Sequence, residues 1–128
     1  MRDRKNKMVN QDRSNLEISL ILAPNEKEAV TEFATILRQQ FGPMIKEIIL
    51  FGSKARGDGK QHSDIDILIV LNKLSWEIKK NISRLAAQEN IKHNVLISTI
   101  RYDTDTWESP VIKLSPFGRT VRKEGIWL

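Results

Sequence analysis

Two aspartates head an otherwise apolar run, and this feature constrains the chain more than any other. Residues 64–71 predict a buried strand, yet Asp64 and Asp66 stand within it. Side chains alternate between the faces of a strand, so both carboxylates are predicted on one side, about 7 Å apart. Desolvation and mutual repulsion make such a pair costly, and a divalent cation would offset that cost. Mg²⁺ suits the pair, because it prefers one or two carboxylates together with phosphate oxygens.

A Gly-Ser turn lies ten residues before this pair. The apolar run 45–51 predicts another buried strand, which ends at Gly52 and Ser53. Gly52 has no Cβ, so the phosphates of a ligand can approach its backbone, and Ser53 offers a hydroxyl and an N–H. Arg56 adds positive charge that either binds a phosphate or holds the loop, whereas Lys54 is expected to face solvent. A phosphate-binding turn beside metal-binding carboxylates predicts phosphoryl or nucleotidyl transfer.

The sequence motif of this region resembles that of a known family. The stretch from Phe51 to Val70 reads FGSKARGDGKQHSDIDILIV, with Gly-Ser, ten residues and Asp-x-Asp in order. It is similar to the motif of the MNT-type minimal nucleotidyltransferases, in the DNA polymerase beta-like superfamily. The resemblance extends over residues 24–128, because the closing SPFGRTVRKEGIWL looks like the family's final helix and Glu-Gly ending.

The resemblance implies a role for each residue of the motif. Asp64 and Asp66 would be the catalytic and metal-binding residues, with Mg²⁺ as cofactor. Gly52, Ser53 and Arg56 would bind the nucleotide, which is ATP in the reaction that the family performs.

One departure from the family concerns a third carboxylate, which the superfamily usually places on the next strand, facing the Asp-x-Asp pair. A third strand is predicted over residues 92–100, and the matching position is Asn94. An amide carries no charge and accepts no proton. Asp103 and Glu108 lie beyond this strand and replace the carboxylate only if the chain folds back. Loss of a general base costs on the order of 10²–10⁴ in rate.

The resemblance also implies a partner. Small MNT proteins are often paired with a HEPN-domain ribonuclease in toxin–antitoxin systems, where they adenylylate a tyrosine of the toxin. The leading hypothesis is therefore transfer of AMP from ATP to a hydroxyl, most specifically a tyrosine of a partner HEPN toxin. The departure at Asn94 favours an alternative, a catalytically weak antitoxin that acts by complex formation. A third hypothesis, a small-molecule nucleotidyltransferase of the aminoglycoside-modifying kind, is disfavoured because no extra acceptor domain is recognised.

Hydrophobic periodicity predicts an α/β or α+β domain over residues 16–128, with a small mixed β-sheet packed by helices. The resemblance implies the polymerase beta-like nucleotidyltransferase fold. Residues 16–22 are expected to be extended. Three helices are predicted, over residues 24–41, 75–90 and 115–123. Ser75 is the predicted N-cap of the second helix.

Composition limits the partners. The net charge is +5, but residues 1–15 contribute +3 of it and predict a disordered basic arm. The rest of the chain is nearly neutral, so direct nucleic-acid binding is not expected. The absence of cysteine excludes disulfides and thiolate chemistry and fits a cytoplasmic location. No apolar stretch is long enough to span a bilayer, and no membrane partner is expected.

The other chemistry-bearing side chains are expected to be structural. His62 lies in a loop and His93 at the start of the predicted third strand, without a visible ligand set. The tryptophans, Trp76, Trp107 and Trp127, are far apart in sequence and are not interleaved with basic residues, so packing or a partner surface is favoured over base stacking.

Overall fold

The computed structural model describes residues 14–59 and 63–128. Its elements are, in order, α1 (14–21), α2 (Pro24–Phe41), β1 (Ile45–Phe51), α3 (Gly52–Arg56), β2 (Ile65–Leu71), α4 (Trp76–His93), β3 (Ile97–Asp103), α5 (Thr104–Glu108), α6 (Pro110–Lys113), α7 (Pro116–Glu124) and β4 (Ile126–Trp127). A 3₁₀ turn, Gly42–Met44, leads from α2 into β1.

The strands form one four-stranded sheet in the order β3-β2-β1-β4. β1 is antiparallel to both β2 and β4, whereas β2 and β3 are parallel. A parallel pair needs a long crossover, which α4 provides. The prediction of a small mixed sheet packed by helices is therefore confirmed.

Both faces of the sheet are covered, by different helices. Alternate residues of β2 divide between two apolar clusters, as the period of a strand requires. One cluster joins the face of Ile67 and Ile69 to α1, α2 and α4. The other joins the face of Leu68 and Val70 to α5 and α7, through Trp107 and Val121. Asp66 shares the Leu68 face, at the end of the sheet where β2 begins.

The expectation for residues 16–22 is wrong, because residues 14–21 are helical. Four apolar residues at every second position fit a strand, but only two of them reach the core. Ile18 and Leu22, four residues apart, are 2% and 7% exposed, whereas Leu16 and Leu20 lie on the opposite side at 64% and 79%. An i, i+4 pair on one face is the helical arrangement.

The expected basic arm, 1–15, lies largely outside the described residues. Its last two residues belong to α1, and the structure gives no test of residues 1–13. The domain over 16–128 therefore stays a prediction. Within the described residues, no helix is long and apolar enough to cross a membrane.

The junction between α4 and β3 also differs from expectation. Ser75 caps α4 as predicted, by accepting a hydrogen bond from the Ile78 N–H. The helix continues to His93, and β3 begins only at Ile97, so a strand over 92–100 is wrong. Asn94 ends the helix in the left-handed conformation, with φ 55°, which asparagine tolerates better than most residues.

Candidate active site

Asp66 is the second residue of β2 and Asp64 directly precedes the strand. Asp66 is half-buried and Asp64 is exposed. Burial raises the pKa of Asp66, and the negative charge of Asp64 raises it further. Among the described residues, neither carboxylate forms a salt bridge. The fold therefore holds two carboxylates together at one end of the sheet, without an ion-pair partner in the part of the chain that the structure describes.

Gly52 lies directly against this carboxylate pair. The antiparallel register places Phe51 opposite Asp66, and the chain turns at the next residue. Gly52 has φ +80°, and a Cβ added to it would collide with Asp66 Oδ2. Only glycine fits both the backbone conformation and the space. The turn therefore brings its own backbone beside the carboxylate, as a site that joins phosphates to a metal requires.

Ser53 follows in the same turn, as the second residue of α3. This helix closes after one turn, because Gly57 adopts the left-handed conformation with φ 78°. The Asp58 N–H donates a hydrogen bond of 3.2 Å to the Ser53 carbonyl and fixes the return of the chain. Ser53 thus lies between β1 and β2, two residues after the one that pairs with Asp66.

Of the two cations of the turn, Lys54 differs from its expected role, whereas Arg56 has contacts that hold the loop. Lys54 is not solvent-facing: it is 4% exposed and its Nζ forms an ion pair of 2.8 Å with Glu26 Oε2. Arg56 is half-exposed and forms ion pairs with Asp58 at 3.5 Å and Glu124 at 3.4 Å. Arg56 therefore links the turn to the end of α7. Nucleotide binding by Arg56 stays a prediction.

The expected third position, Asn94, is not on a strand. Parallel pairing places Ser98 beside Asp66, and Ser98 is exposed. The residue that flanks Asp66 is therefore a serine. The placement of Asn94 there is wrong, because residues 92 and 93 belong to α4 and not to a strand. Asp103 does not fold back: it ends β3 opposite Leu71, about 16 Å along the strand from Ser98.

A family model for the nucleotidyltransferase domain matches residues 30–124. This range covers most of the chain and includes the Gly-Ser turn, both aspartates and the strand that bears Ser98. The chain belongs to the nucleotidyltransferase-domain family. The nucleotidyltransferase predicted from the sequence is therefore confirmed at the level of its family, and its fold is that of the family.

Two relatives of this nucleotidyltransferase come from Methanocaldococcus jannaschii, and both are named as candidate protein adenylyltransferases. One is 32% identical over 93 residues, which cover 72% of this chain and 90% of the relative. The other is 56% identical over 46 residues, or 36% of this chain. That match spans only 46% of the second relative's length, slightly less than half.

Two solved structures share the fold of this nucleotidyltransferase. One is a toxin–antitoxin complex of MntA and HpeT, with a TM-score of 0.51 and 21% identity, over 77% of this chain and 70% of that one. The other is a toxin–antitoxin structure with AMP-PNP, with a TM-score of 0.52 and 21% identity, over 75% and 69% of the two chains. At this identity the likeness concerns the fold.

The donor set of this nucleotidyltransferase domain fits Mg²⁺. Asp64 and Asp66 offer carboxylate oxygens, the ligands that Mg²⁺ prefers, and leave room for water and phosphate oxygens. Burial, and then the charge of Asp64, raise the pKa of Asp66, so the charged form of this carboxylate would gain from a nearby cation. A divalent cation would supply positive charge at the point where the backbone of Gly52 approaches.

The remaining candidates are distributed over the fold. His62 lies outside the described residues. Trp107 is buried under the sheet, and Trp127 donates a hydrogen bond of 2.9 Å to Glu47 Oε1. Trp76 is exposed, with the Lys80 Nζ 5.2 Å from its ring centroid. The described tryptophans thus match the expected packing and surface roles.

Proposed function

We propose that this domain transfers AMP from ATP, with Mg²⁺, to a hydroxyl group of a partner protein. One observation supports the proposal most directly: the Gly52 backbone meets the Asp66 carboxylate, where Asp64 adds a second negative charge. A turn that admits phosphates and a carboxylate pair without an ion-pair partner among residues 14–59 and 63–128 are complementary parts of a nucleotide site.

Each residue of the site has a proposed task. Asp64 and Asp66 would hold Mg²⁺, which neutralises negative charge on the phosphates when it is bound. Gly52 leaves space for the phosphates, and Ser53 offers its hydroxyl and N–H to the β- and γ-phosphates. Arg56 contacts two carboxylates through Nε and Nη1, and its other N–H groups could bind a phosphate oxygen.

The proposed reaction is a single displacement, without a covalent enzyme intermediate. The acceptor oxygen attacks the α-phosphorus of ATP in line, a new P–O bond forms, and the bond to the departing pyrophosphate breaks. The acceptor loses its proton as it attacks. Ser98, which flanks Asp66, is a poor base, so that proton passes to solvent or to a group of the bound acceptor.

The acceptor is proposed to be a tyrosine of a HEPN-domain toxin. Two observations support a protein partner: relatives are named for protein adenylylation, and structures with this fold come from toxin–antitoxin complexes. The HEPN identity, the tyrosine and a cytoplasmic setting rest on the family resemblance of the motif. The proposed role is that of the antitoxin.

Intact-mass analysis of the co-expressed partner, with ATP and Mg²⁺, tests this proposal. The wild-type chain is expected to add adenylate to the partner, and the Asp64→Asn/Asp66→Asn variant to add none. Asp105→Asn is the matched control, since Asp105 is exposed on α5 and far from the turn. Undiminished transfer by the double variant would show that the aspartates do not hold the metal.

A second candidate function is supported by Ser98. Without a carboxylate beside Asp66, turnover loses a source of general-base catalysis, whereas complex formation is unaffected. The chain would then act as an antitoxin that covers its partner. Toxin neutralisation by the wild type and by the double variant separates the two functions. Equal neutralisation favours complex formation, and loss of neutralisation favours transfer.

A further inference from the structure

A second cluster of ligating side chains lies between α2 and α4, on the opposite side of the sheet from Asp66. It consists of Glu32 from α2 with Glu89 and His93 from α4. One ligating atom from each residue lies within 4.8 Å of the other two. Because α2 and α4 pack on the Ile67 face, this cluster is separate from the Gly-Ser turn and the aspartate pair.

Rigid elements hold the three side chains in place. Glu89 and His93 are four residues apart, so they share one face of α4. The Asn25 side chain donates a hydrogen bond of 3.0 Å to the His93 carbonyl and fastens the end of α4 to the start of α2. Lys92 forms an ion pair with Glu32 Oε1, which leaves Glu32 Oε2 directed at His93.

Glu89 Oε2 is the atom that indicates a missing ligand. Glu89 is 3% exposed, and its Oε2 has no hydrogen-bond partner in the part of the chain that the structure describes. It lies 3.2 Å from His93 Nε2, within ion-pair distance, but that nitrogen contacts Glu32 Oε2 at 3.0 Å. Nε2 carries at most one hydrogen and cannot serve both carboxylates. An inward-facing carboxylate oxygen is therefore left over.

Two of the three distances between the ligating atoms match a tetrahedral metal, and the third lies within 4.8 Å. With metal–ligand bonds of about 2.0–2.1 Å, neighbouring ligand atoms in a tetrahedral zinc site are about 3.3 Å apart. His93 Nε2 lies 3.0 and 3.2 Å from the two carboxylate oxygens. A histidine nitrogen with two carboxylates suits Zn²⁺ better than Mg²⁺, which prefers oxygen ligands alone.

We propose that Glu32, Glu89 and His93 bind a zinc ion that joins α2 to α4. Water completes the fourth position. The ion satisfies Glu89 Oε2, which has no hydrogen-bond partner among the described residues. Since an ion that binds only the folded state stabilises it, zinc is expected to raise the melting temperature of the domain.

Calorimetric titration with zinc chloride tests the proposal, on full-length protein without a histidine tag. The Asp64→Asn/Asp66→Asn background removes the aspartates as competing ligands. One saturable site per chain is expected there. Adding His93→Gln or Glu89→Gln should weaken zinc binding at least about 100-fold, because loss of a group that merely orients a ligand already costs about 10- to 100-fold.

Glu28→Gln is the matched control. Glu28 is exposed on α2, one turn before Glu32, so this variant removes the same charge near the cluster without removing a proposed ligand. Its zinc affinity should equal that of the parent. Circular dichroism without metal shows whether each variant folds, and an unfolded variant is replaced by Glu32→Gln.

A second measurement uses the unaltered chain. The protein has two histidines, so long-range ¹H–¹⁵N spectra resolve their ring nitrogens. Zinc should shift the Nε2 resonance of His93 and leave that of His62 in place. The proposal is overturned if zinc does not saturate, if His93→Gln binds it as tightly as the parent, or if His62 alone responds. The cluster would then be an ion-pair network only.

Discussion

Glu26 and Asp66 both lie beside the Gly-Ser turn, but the surroundings of the two carboxylates differ. Glu26 is buried, and its two oxygens take a hydrogen bond of 2.9 Å from the Ala23 N–H and an ion pair of 2.8 Å from Lys54. Asp66 faces Asp64 and forms no salt bridge among the described residues, so its pKa rises through burial and then repulsion. Glu26 thus has a cation as its partner, whereas the described part of the chain supplies none to Asp66.

The difference separates a structural carboxylate from one that is placed for a ligand. Glu26 and Lys54 tie α2 to α3 and thereby hold the turn in position. Repulsion between Asp64 and Asp66 destabilises the protein when no cation is bound, and a bound cation would relieve that repulsion. Removing charge from the first pair should therefore cost stability, and removing it from the second should cost activity. The predictions below test this contrast, from the largest effect to the smallest.

Lys54→Met is expected to lower the free energy of unfolding by about 3 to 5 kcal/mol, because it leaves the Glu26 carboxylate buried without its cation. Chemical denaturation measures the loss. The double variant Lys54→Met/Glu26→Gln should recover part of it, since glutamine keeps the Ala23 hydrogen bond without the charge. If the single variant were as stable as wild type, the pair would be incidental to the position of the turn.

Asp66→Asn should have the opposite profile. Adenylate transfer is expected to fall at least about 100-fold, because stabilisation of phosphate charge by a metal amounts to several kcal/mol. The melting temperature without Mg²⁺ should stay the same or rise, since folding penalises the charged form of this side chain. Transfer assays and thermal melts on the same sample report both values. A much lower melting temperature of the Asp66→Asn variant would indicate that Asp66 has a structural role.

Gly52→Ala tests the contact between the turn and the carboxylate. An alanine with φ +80° and a Cβ against Asp66 Oδ2 is expected to cost about 2 kcal/mol and to displace the aspartate. Gly57→Ala is a matched control with φ 78°, where an added Cβ would meet Ile21 at an ordinary van der Waals distance of 3.4 Å and no closer atom of the described residues. The control should lose about 1 kcal/mol and keep its transfer activity. Equal losses of activity would mean that the collision is not what matters.

The first half of the site was predictable because its parts are close in sequence. β1, the Gly-Ser turn and the Asp-x-Asp strand occupy one segment, and the apolar run before Gly52 and the run after Asp66 each have the pattern of a buried strand. Their antiparallel pairing then places Gly52 beside Asp66. The compensated pair was missed, because nothing local in the sequence connects Lys54 with Glu26 on α2.

The second half depends on where α4 ends. The helix ends at Asn94, a residue that marks helix ends less often than glycine does, whereas the prediction ended it near residue 90. The displaced boundary moved the predicted neighbour of Asp66 from Ser98 to Asn94. The same error prevented prediction of the proposed zinc cluster. His93 was expected on a strand, but it lies on α4, four residues after Glu89, and therefore on the same face of the helix.

Ser98→Asp is the smallest of the expected changes and tests the open side of the aspartate pair. A third carboxylate beside Asp66 should lower stability without Mg²⁺ by about 1 kcal/mol, through repulsion at a partly solvated site. Mg²⁺ should restore the melting temperature, and transfer should rise at least about 10-fold if a general base was lacking. Ser98→Asn, without the charge, should change neither quantity. An unchanged transfer rate in Ser98→Asp would mean that the acceptor or another group already takes the proton, so that the charge of Asp64 and Asp66 serves metal binding alone.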